Sequence, residues 1–350
     1  MDRRTVDVYE TRVDDWIELR NRGVPEALLR EFVPTIPPGP RADLGCGPGW
    51  HSAPLGEPVV ALDAALSMTE KVRAFAPGAW PVQGDLERLP FAVGALSGAW
   101  AHKCYMHLGA AAVPMALAEL HRAVALGGRV HIRVTSDRLQ ENADEKFPGR
   151  HFEWWPVGRF RDVVEGAGFE ITAFDDDGEE WLDVAATRAR MLPDTVGPGM
   201  RLLLVGLNPS ELSADTGVGF ARPGNRFWPA ALASGVVTRT HDPYHALRVD
   251  HVGMTNLVRR ATVRADALAT EEYREGAARV ERLVRWLGPA AICFVGLSGY
   301  RAAIDKKAQL GWQDEHFGGV PTYVMPNTSG LNAHAKPADF QEHLRRASAL

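Results

Sequence analysis

The chain has 350 residues, room for two domains of ordinary size, and its 45% apolar and 24% charged content excludes a disordered or fibrous protein. A net charge of −5 gives no overall basic footprint for nucleic acid, and neither a leader peptide nor a bilayer-length apolar run is present, so a cytoplasmic protein with no membrane partner is expected. The cysteines, Cys46, Cys104 and Cys293, are widely spaced and odd in number, which argues against a disulfide framework or zinc knuckle and is too few for a four-cysteine iron–sulfur cluster; no metal is expected.

In chain order, a helix carrying Tyr9, Glu10 and Trp16 leads to the proline-rich Pro34–Pro40. Asp43-Leu44-Gly45-Cys46-Gly47-Pro48-Gly49 follows, and Val59-Val60-Ala61-Leu62 reads as a strand ending in Asp63. Glycines let a backbone turn tightly and approach a ligand, and an acidic residue about twenty positions on suits a ribose hydroxyl pair. Gly84-Asp85-Leu86 precedes Leu89-Pro90-Phe91. Helix Leu117–Leu126, stopped by Gly127-Gly128, precedes a strand over 129–134. Helix Phe160–Ala167, a strand starting near Phe169 and a last strand Trp181–Arg188 complete a doubly wound sheet with an antiparallel closing hairpin.

This set resembles the class I S-adenosylmethionine-dependent methyltransferases over roughly residues 5–190. The resemblance implies that Asp43, Gly45, Gly47 and Gly49 form the loop cradling the methionine part of S-adenosyl-L-methionine. It places Asp63 on the ribose and Asp85 at the adenine, with the N-terminal helix as a lid. The glycine spacing of a pyrophosphate-binding Rossmann loop is not kept, which disfavours that rival reading. The segment Ala99–His107 carries neither the Asx-Pro-Pro-aromatic nor the Pro-Cys motif of DNA methyltransferases, so the methyl acceptor is left open, with DNA a poor choice. His102, Lys103 and His107 in that segment are base candidates or ordinary side chains.

Residues 188–200, with Pro193 and Gly197-Pro198-Gly199, have loop composition, and the expected division is 1–190, a linker at 191–200, and 201–350. Apolar runs at 201–206, 251–257, 291–296 and 321–325 read as strands of a parallel sheet, with helices between them such as Glu271–Leu287. Residues 191–350 carry 18 Lys and Arg against 15 Asp and Glu, so the second half is the more basic one. The run 201–205 ends in Gly206-Leu207-Asn208-Pro209-Ser210. An Asn-Pro pair often merely starts a turn, yet it stands where open α/β sheets place ligands. An amide takes no proton, so Asn208 suits holding a water rather than general-base work.

Three segments together, 206–210, Thr216–Trp228 (Thr-Gly-Val-Gly-Phe-Ala-Arg-Pro-Gly-Asn-Arg-Phe-Trp) and Asn327-Thr328-Ser329-Gly330-Leu331, resemble the mismatch-specific uracil/thymine-DNA glycosylase family of the uracil-DNA glycosylase superfamily. Ser210 and Thr328 depart from the family's glycine and proline. The resemblance implies a two-domain α/β protein: a Rossmann-like seven-stranded methyltransferase sheet, then an α/β/α sandwich on a parallel four-stranded sheet. It makes Asn208 the catalytic residue and places Leu207, Ser213, Phe220 and Asn327 around a flipped base. Ser329, Gly330, Leu331 and Asn332 become strand contacts, with Leu331 the wedge. The expected partner is double-stranded DNA with a mismatched or damaged pyrimidine. No lysine occurs in either motif, so the enzyme is expected to leave an abasic site without a Schiff base. Two other readings stay open: a non-catalytic damage sensor tethered to an active methyltransferase, or an active glycosylase with a cofactor-binding regulatory module. Oligomeric state is not legible.

Overall fold

The computed structural model describes residues 2–20, 25–138, 146–263, 267–330, 332 and 335–349. The chain divides into two compact units: Met1–Glu165 with Phe169–Ala189, and Gly166–Gly168 with Arg190–Leu350.

The first unit is built on seven strands: β1 (Arg41–Leu44), β2 (Val59–Asp63), β3 (Trp80–Gln83), β4 (Leu96–His102), β5 (Val124–Thr135), β6 (Phe169–Asp176) and β7 (Trp181–Arg188). They run in the order β3-β2-β1-β4-β5-β7-β6, parallel except for β7, which pairs antiparallel with both β5 and β6. β4 lies at the centre and reads as a near-continuous apolar run because both its faces are covered. The helix expected over 117–126 instead spans Val113–Ala123, and β5 begins at Val124. Gly127-Gly128 does not stop that helix; it lies in β5, where the pairing with β4 slips register between Leu96 and Gly98. The N-terminal helix is two, Arg3–Thr11 and Val13–Arg20.

The second unit carries β8 (Leu202–Gly206), β9 (Val252–Asn256), β10 (Ile292–Val295), β11 (Gly311–Trp312) and β12 (Thr322–Met325) in the order β11-β12-β10-β8-β9. The four expected strands are parallel, and the short β11 joins the edge antiparallel to β12. The helix Thr270–Leu287 turns Gly276, Ala277, Arg279, Val280 and Val284 inward. Since all four main strands point one way, the loops after β8, β9, β10 and β12 gather along one edge.

Residues 191–200, expected as a linker, belong to the second unit's structure. Thr195 exchanges two backbone hydrogen bonds of 2.8 Å with Met254 of β9, and Val196 and Met200 are buried. Asp194 meets Arg279 at 2.5 Å, with both side chains only 5% exposed, and Thr255 Oγ1 donates to Asp194 at 2.6 Å. Arg279 also donates to the Asn256 carbonyl at 3.0 Å, fixing the end of β9. An ion pair so buried needs its remaining donors and acceptors met; both terminal nitrogens of Arg279 are bonded to Asp194, Thr255 or the Asn256 carbonyl, and its Nε alone has no partner among the described residues.

Candidate functional sites

In the second unit, β8 is wholly buried and stops at Gly206, where a side chain would strike the Asn256 amide of the neighbouring strand. The chain then turns into a cavity of about 750 Å³ lined by Leu207, Asn208, Ser213, Phe220, Asn256 and Asn327, among others. Asn208 Nδ2 donates to Thr262 Oγ1 at 2.7 Å and to the Pro209 carbonyl at 3.2 Å, so its donors are spent on the protein. Its Oδ1 has no protein donor among the described residues and remains an acceptor beside the cavity. Among the described lining residues none is Asp, Glu, His or Lys, and Arg222 is the one charged side chain. The chemistry available is therefore water positioning and charge stabilisation, not proton abstraction.

Phe220 sits at φ 58°, a left-handed conformation rare for a bulky residue. Two neighbours hold its loop there: Trp228 Nε1 donates to the Gly219 carbonyl at 2.8 Å, and Ala221 N–H donates to Ser213 Oγ at 3.3 Å. The Phe220 ring stacks on Phe227 at 4.1 Å and also lines the cavity. It is thus both core neighbour and wall. Ser210 caps the helix Glu211–Thr216 by accepting from Ser213 N–H at 3.2 Å, a task the family's glycine has no side chain to perform.

Asn327 follows β12, and its Oδ1 accepts from Ser329 N–H at 2.8 Å, leaving Nδ2 as its donor group. Ser329 and Asn332 line the cavity, but the Asn332 amide turns back to donate to the Asn327 carbonyl at 2.8 Å. Gly330 packs on the Gly224 carbonyl, which leaves no room for a side chain, and does not line the cavity. Leu331, the expected wedge, lies outside the described residues. The Leu207 carbonyl, expected near the base edge, accepts from Val258 N–H at 2.9 Å.

Three contributors escaped the sequence reading. Arg226 donates to the carbonyls of Ala335 (2.8 Å), Ser329 (2.8 Å) and Asn332 (2.6 Å), tying the loop after β12 to the Phe220 segment. Its position inside Asn-Arg-Phe-Trp was visible; its reach of about a hundred residues was not. Asn256 stands in the sequence only as part of the apolar run 251–257, with nothing local to mark it. Thr262 had no local signal at all. Thr262→Val should slow the base release expected from the sequence roughly tenfold, the worth of one lost hydrogen bond, in single-turnover assays. An unchanged rate would remove Thr262 from the positioning of Asn208.

In the first unit the glycine loop after β1 faces a cavity of about 900 Å³ lined by Gly45, Gly47, Asp63, Tyr9, Trp16, His102, Lys103 and Trp181, among others. Gly45 (φ 63°) lies against Cys104, where a Cβ has no room, while at Gly47 (φ 53°) a Cβ meets nothing, so the loop there opens away from the protein. Asp63 accepts from Gly47 N–H and Ala65 N–H, each at 2.9 Å, one per carboxylate oxygen. Each oxygen keeps acceptor capacity for a ligand hydroxyl.

Asp43, Gly49 and Asp85 do not line this cavity, although Gly84 and Leu86 do. Gly49 packs on Val72, and Asp85 accepts from Glu87 N–H at 2.9 Å. Asp43 is buried under the loop and accepts from Ser52 Oγ at 2.7 Å. Burial pushes its carboxyl up to about 7, against the Ser52 hydrogen bond. Folding then favours the protonated acid, so its contribution to stability is fully present below about 4 and is lost as pH rises through 7. Asp43→Asn should flatten that part of the stability-against-pH curve, measured by melting the full chain between pH 4 and 8; an unaltered slope would show that Asp43 does not titrate there.

Tyr9 closes the N-terminal helix over the cavity. Its hydroxyl lies 3.1 Å from His107 Nε2 and accepts from Arg150 at 3.0 Å, and its ring packs edge-on against Trp16 at 5.1 Å. His107 Nδ1 lies 2.6 Å from the His151 carbonyl, so it carries the ring proton and Nε2 accepts from Tyr9.

Comparison with known proteins agrees with this division. Residues 193–348 match the family model of the Uracil DNA glycosylase superfamily, and residues 42–132 match that of a methyltransferase domain. Solved structures similar in part include an S-adenosylmethionine-dependent methyltransferase from Mesorhizobium loti (20% identity, 46% of this chain and 96% of that one, TM-score 0.39). Another is the 1,6-didemethyltoxoflavin-N1-methyltransferase of Burkholderia thailandensis, with bound 1,6-didemethyltoxoflavin and S-adenosylhomocysteine (17% identity, 53% and 88% coverage, TM-score 0.42). Among the described residues no group of His, Cys, Asp or Glu is arranged to hold a metal ion, and no helix is long and apolar enough to cross a membrane.

Proposed function

With a methyltransferase domain and a uracil DNA glycosylase superfamily domain in one chain, we propose that the second excises uracil or thymine, or a related damaged pyrimidine, from mismatches with guanine, and that the first binds S-adenosyl-L-methionine and transfers its methyl group. The observation that carries the glycosylase reading is the Asn208 amide. Its donors are anchored on Thr262 and Pro209, and its free Oδ1 stands in a cavity walled by Phe220 with no carboxylate among its described lining residues.

A target base has to leave the duplex before its glycosidic bond can be reached. Flipped into the cavity, it rests against Phe220, with the donors of Asn327 and the amide of Asn256 facing its polar edge. A water donates a hydrogen bond to Asn208 Oδ1, which turns its lone pair toward the sugar C1′. As the bond breaks, electrons pass to the base, and the amide donors and Arg222 stabilise the departing anion. Water adds to C1′ and gives its proton to solvent, leaving an abasic site. With no lysine among the described lining residues, no Schiff base forms and the strand is not cut.

In the first domain the fit to the cofactor rests on the open face at Gly47 and the spare acceptor capacity of Asp63. Gly45 and Gly47 would hold the amino-acid portion, Asp63 the ribose hydroxyls, and the Gly84–Leu86 segment the adenine. The bound cofactor supplies an electrophilic methyl group. Tyr9 and Trp16 exclude water from that cavity.

The test is the full chain on duplexes containing G·U, G·T and A·U pairs and on single strands, with and without S-adenosylmethionine, scored for abasic sites. Release from G·U is expected, and duplex binding with no product would replace the proposal with the damage-sensor reading. Calorimetry with S-adenosylhomocysteine tests the first domain; absence of heat at millimolar ligand would end the cofactor assignment.

A further inference from the structure

The geometry points to a methyl-acceptor site in the first domain for a small, planar, acidic molecule, bound as its anion by the Lys103 ammonium; this rests on the reading that the adjoining glycine-loop cavity takes S-adenosylmethionine. Lys103 follows the last residue of β4 and adopts φ 64°, a left-handed conformation that an unbranched but bulky side chain seldom takes without functional cause. Its Nζ rests 3.7 Å from the centroid of the Trp181 ring. An indole face holds a cation in place without using its N–H donors as a carboxylate would. Among the described residues no carboxylate or carbonyl accepts from Lys103 Nζ, and the side chain lines the cavity.

The neighbouring cation makes the contrast plain. Arg133, on β5, spends its guanidinium on Asp183, with distances of 2.8, 2.9 and 2.5 Å. A half-buried ammonium lacking such a counter-ion is costly unless a ligand supplies the negative charge. The groups acting on it from the surrounding elements are Arg133 and Arg20, Glu180 and Asp183, and the imidazoles His51 and His102. Asp183 is already taken by Arg133, and Glu180, which lines the same cavity and raises the Lys103 pKa from a distance, forms no ion pair with it among the described residues. The histidines bring no charge. His51 Nδ1 accepts from Trp100 Nε1 at 3.2 Å, and burial brings its pKa down to about 4. His102 is held neutral by burial and by His51, and its buried Nδ1 has no hydrogen-bond partner among the described residues.

Burial, followed by Arg133, pulls the Lys103 ammonium down to about 8. A bound anion restores it. The aromatic lining of Tyr9, Trp16, Phe152 and Trp181 suits a flat ligand. On binding, the acceptor's acidic proton leaves for solvent. The anion then donates an electron pair to the methyl carbon, the carbon–sulfur bond breaks with its pair going to sulfur, and the charges of anion and sulfonium cancel. The product is neutral and loses its hold on Lys103, which favours release.

The probe is 4-nitrophenol, whose anion absorbs where the phenol does not. It is titrated with the full chain saturated with S-adenosylhomocysteine. The bound phenol is expected to ionise about one pH unit below the free one, a tenfold preference for the anion. That preference should fade as pH rises through about 8, where Lys103 loses its charge. Lys103→Met should abolish the phenolate band while affinity for S-adenosylhomocysteine and the melting curve stay as in the wild type, and Lys103→Arg should keep part of the band. A wild-type chain that binds S-adenosylhomocysteine without raising the band overturns this inference alone. So does a band of equal strength in Lys103→Met. A tenfold loss of S-adenosylhomocysteine affinity in Lys103→Met with the band intact would assign Lys103 to the cofactor's carboxylate instead. A wild-type chain that binds no S-adenosylhomocysteine overturns the cofactor reading and this one with it.

Discussion

An Asn208→Ala chain should bind a G·U duplex with the affinity of the wild type and release uracil at least about 100-fold more slowly, because the proposed nucleophilic water loses the free Asn208 Oδ1 that would hold it. The expected size follows from the site's composition. With no acidic or imidazole side chain among the described lining residues, no second group substitutes as a base, and water orientation is the term the protein controls. For the same reason the wild-type rate should be level between pH 6 and 8. Single-turnover kinetics with a fluorescence measurement of duplex binding separates the two effects. A variant that excises at the wild-type rate disproves the role of Asn208, and one that loses duplex binding shows it to be a contact rather than a positioner.

Asp194→Ala should destabilise the second unit by about 3–5 kcal/mol, because it strands the buried Arg279 guanidinium without its counter-ion. The double replacement Asp194→Leu with Arg279→Met should recover most of that loss, since an apolar pair of similar volume needs no desolvated charge. Urea unfolding followed by a fluorescence signal from the second unit measures both. A cost below about 1 kcal/mol for Asp194→Ala would mean that water reaches Arg279 and that the pair is not the closed network its 5% exposures describe. Excision should fall along with stability, because Arg279 also holds the Asn256 carbonyl at the cavity wall.

What the sequence made legible is whatever a few adjacent residues decide. Gly206-Leu207-Asn208-Pro209-Ser210 could be placed at a strand end because glycine, asparagine and proline punctuate an apolar run locally. The loop from Gly45 to Gly49 and the acid ending β2 were readable for the same reason. The antiparallel hairpin of β6 and β7 followed from alternation. Long-range partners were not readable. Nothing near Asp194 announces Arg279, 85 residues on, and the proline and glycine content of 191–200 favoured a linker over a segment paired with β9. β11 has two residues and no period to detect. Gly127-Gly128 looked like a helix stop because propensity ignores the sheet, yet both lie in β5 at the irregularity between its pairings with β4 at Val124 and from Arg129 onward. The left-handed backbone of Lys103 and Phe220 has no sequence signature, since neither residue type predicts it.

The bonding of Thr195 to Met254 bears on how the two halves can be taken apart. A fragment begun at Arg201, where the first apolar run of the second half starts, would discard a backbone pairing on β9 and leave a guanidinium sealed in the interior without its counter-ion. Misfolding of such a fragment would say nothing about dependence on the methyltransferase. A cut made ahead of Arg190 keeps both the pairing and the Arg190 contacts to Asp215 and Glu211, and only a fragment made that way can report whether excision is autonomous.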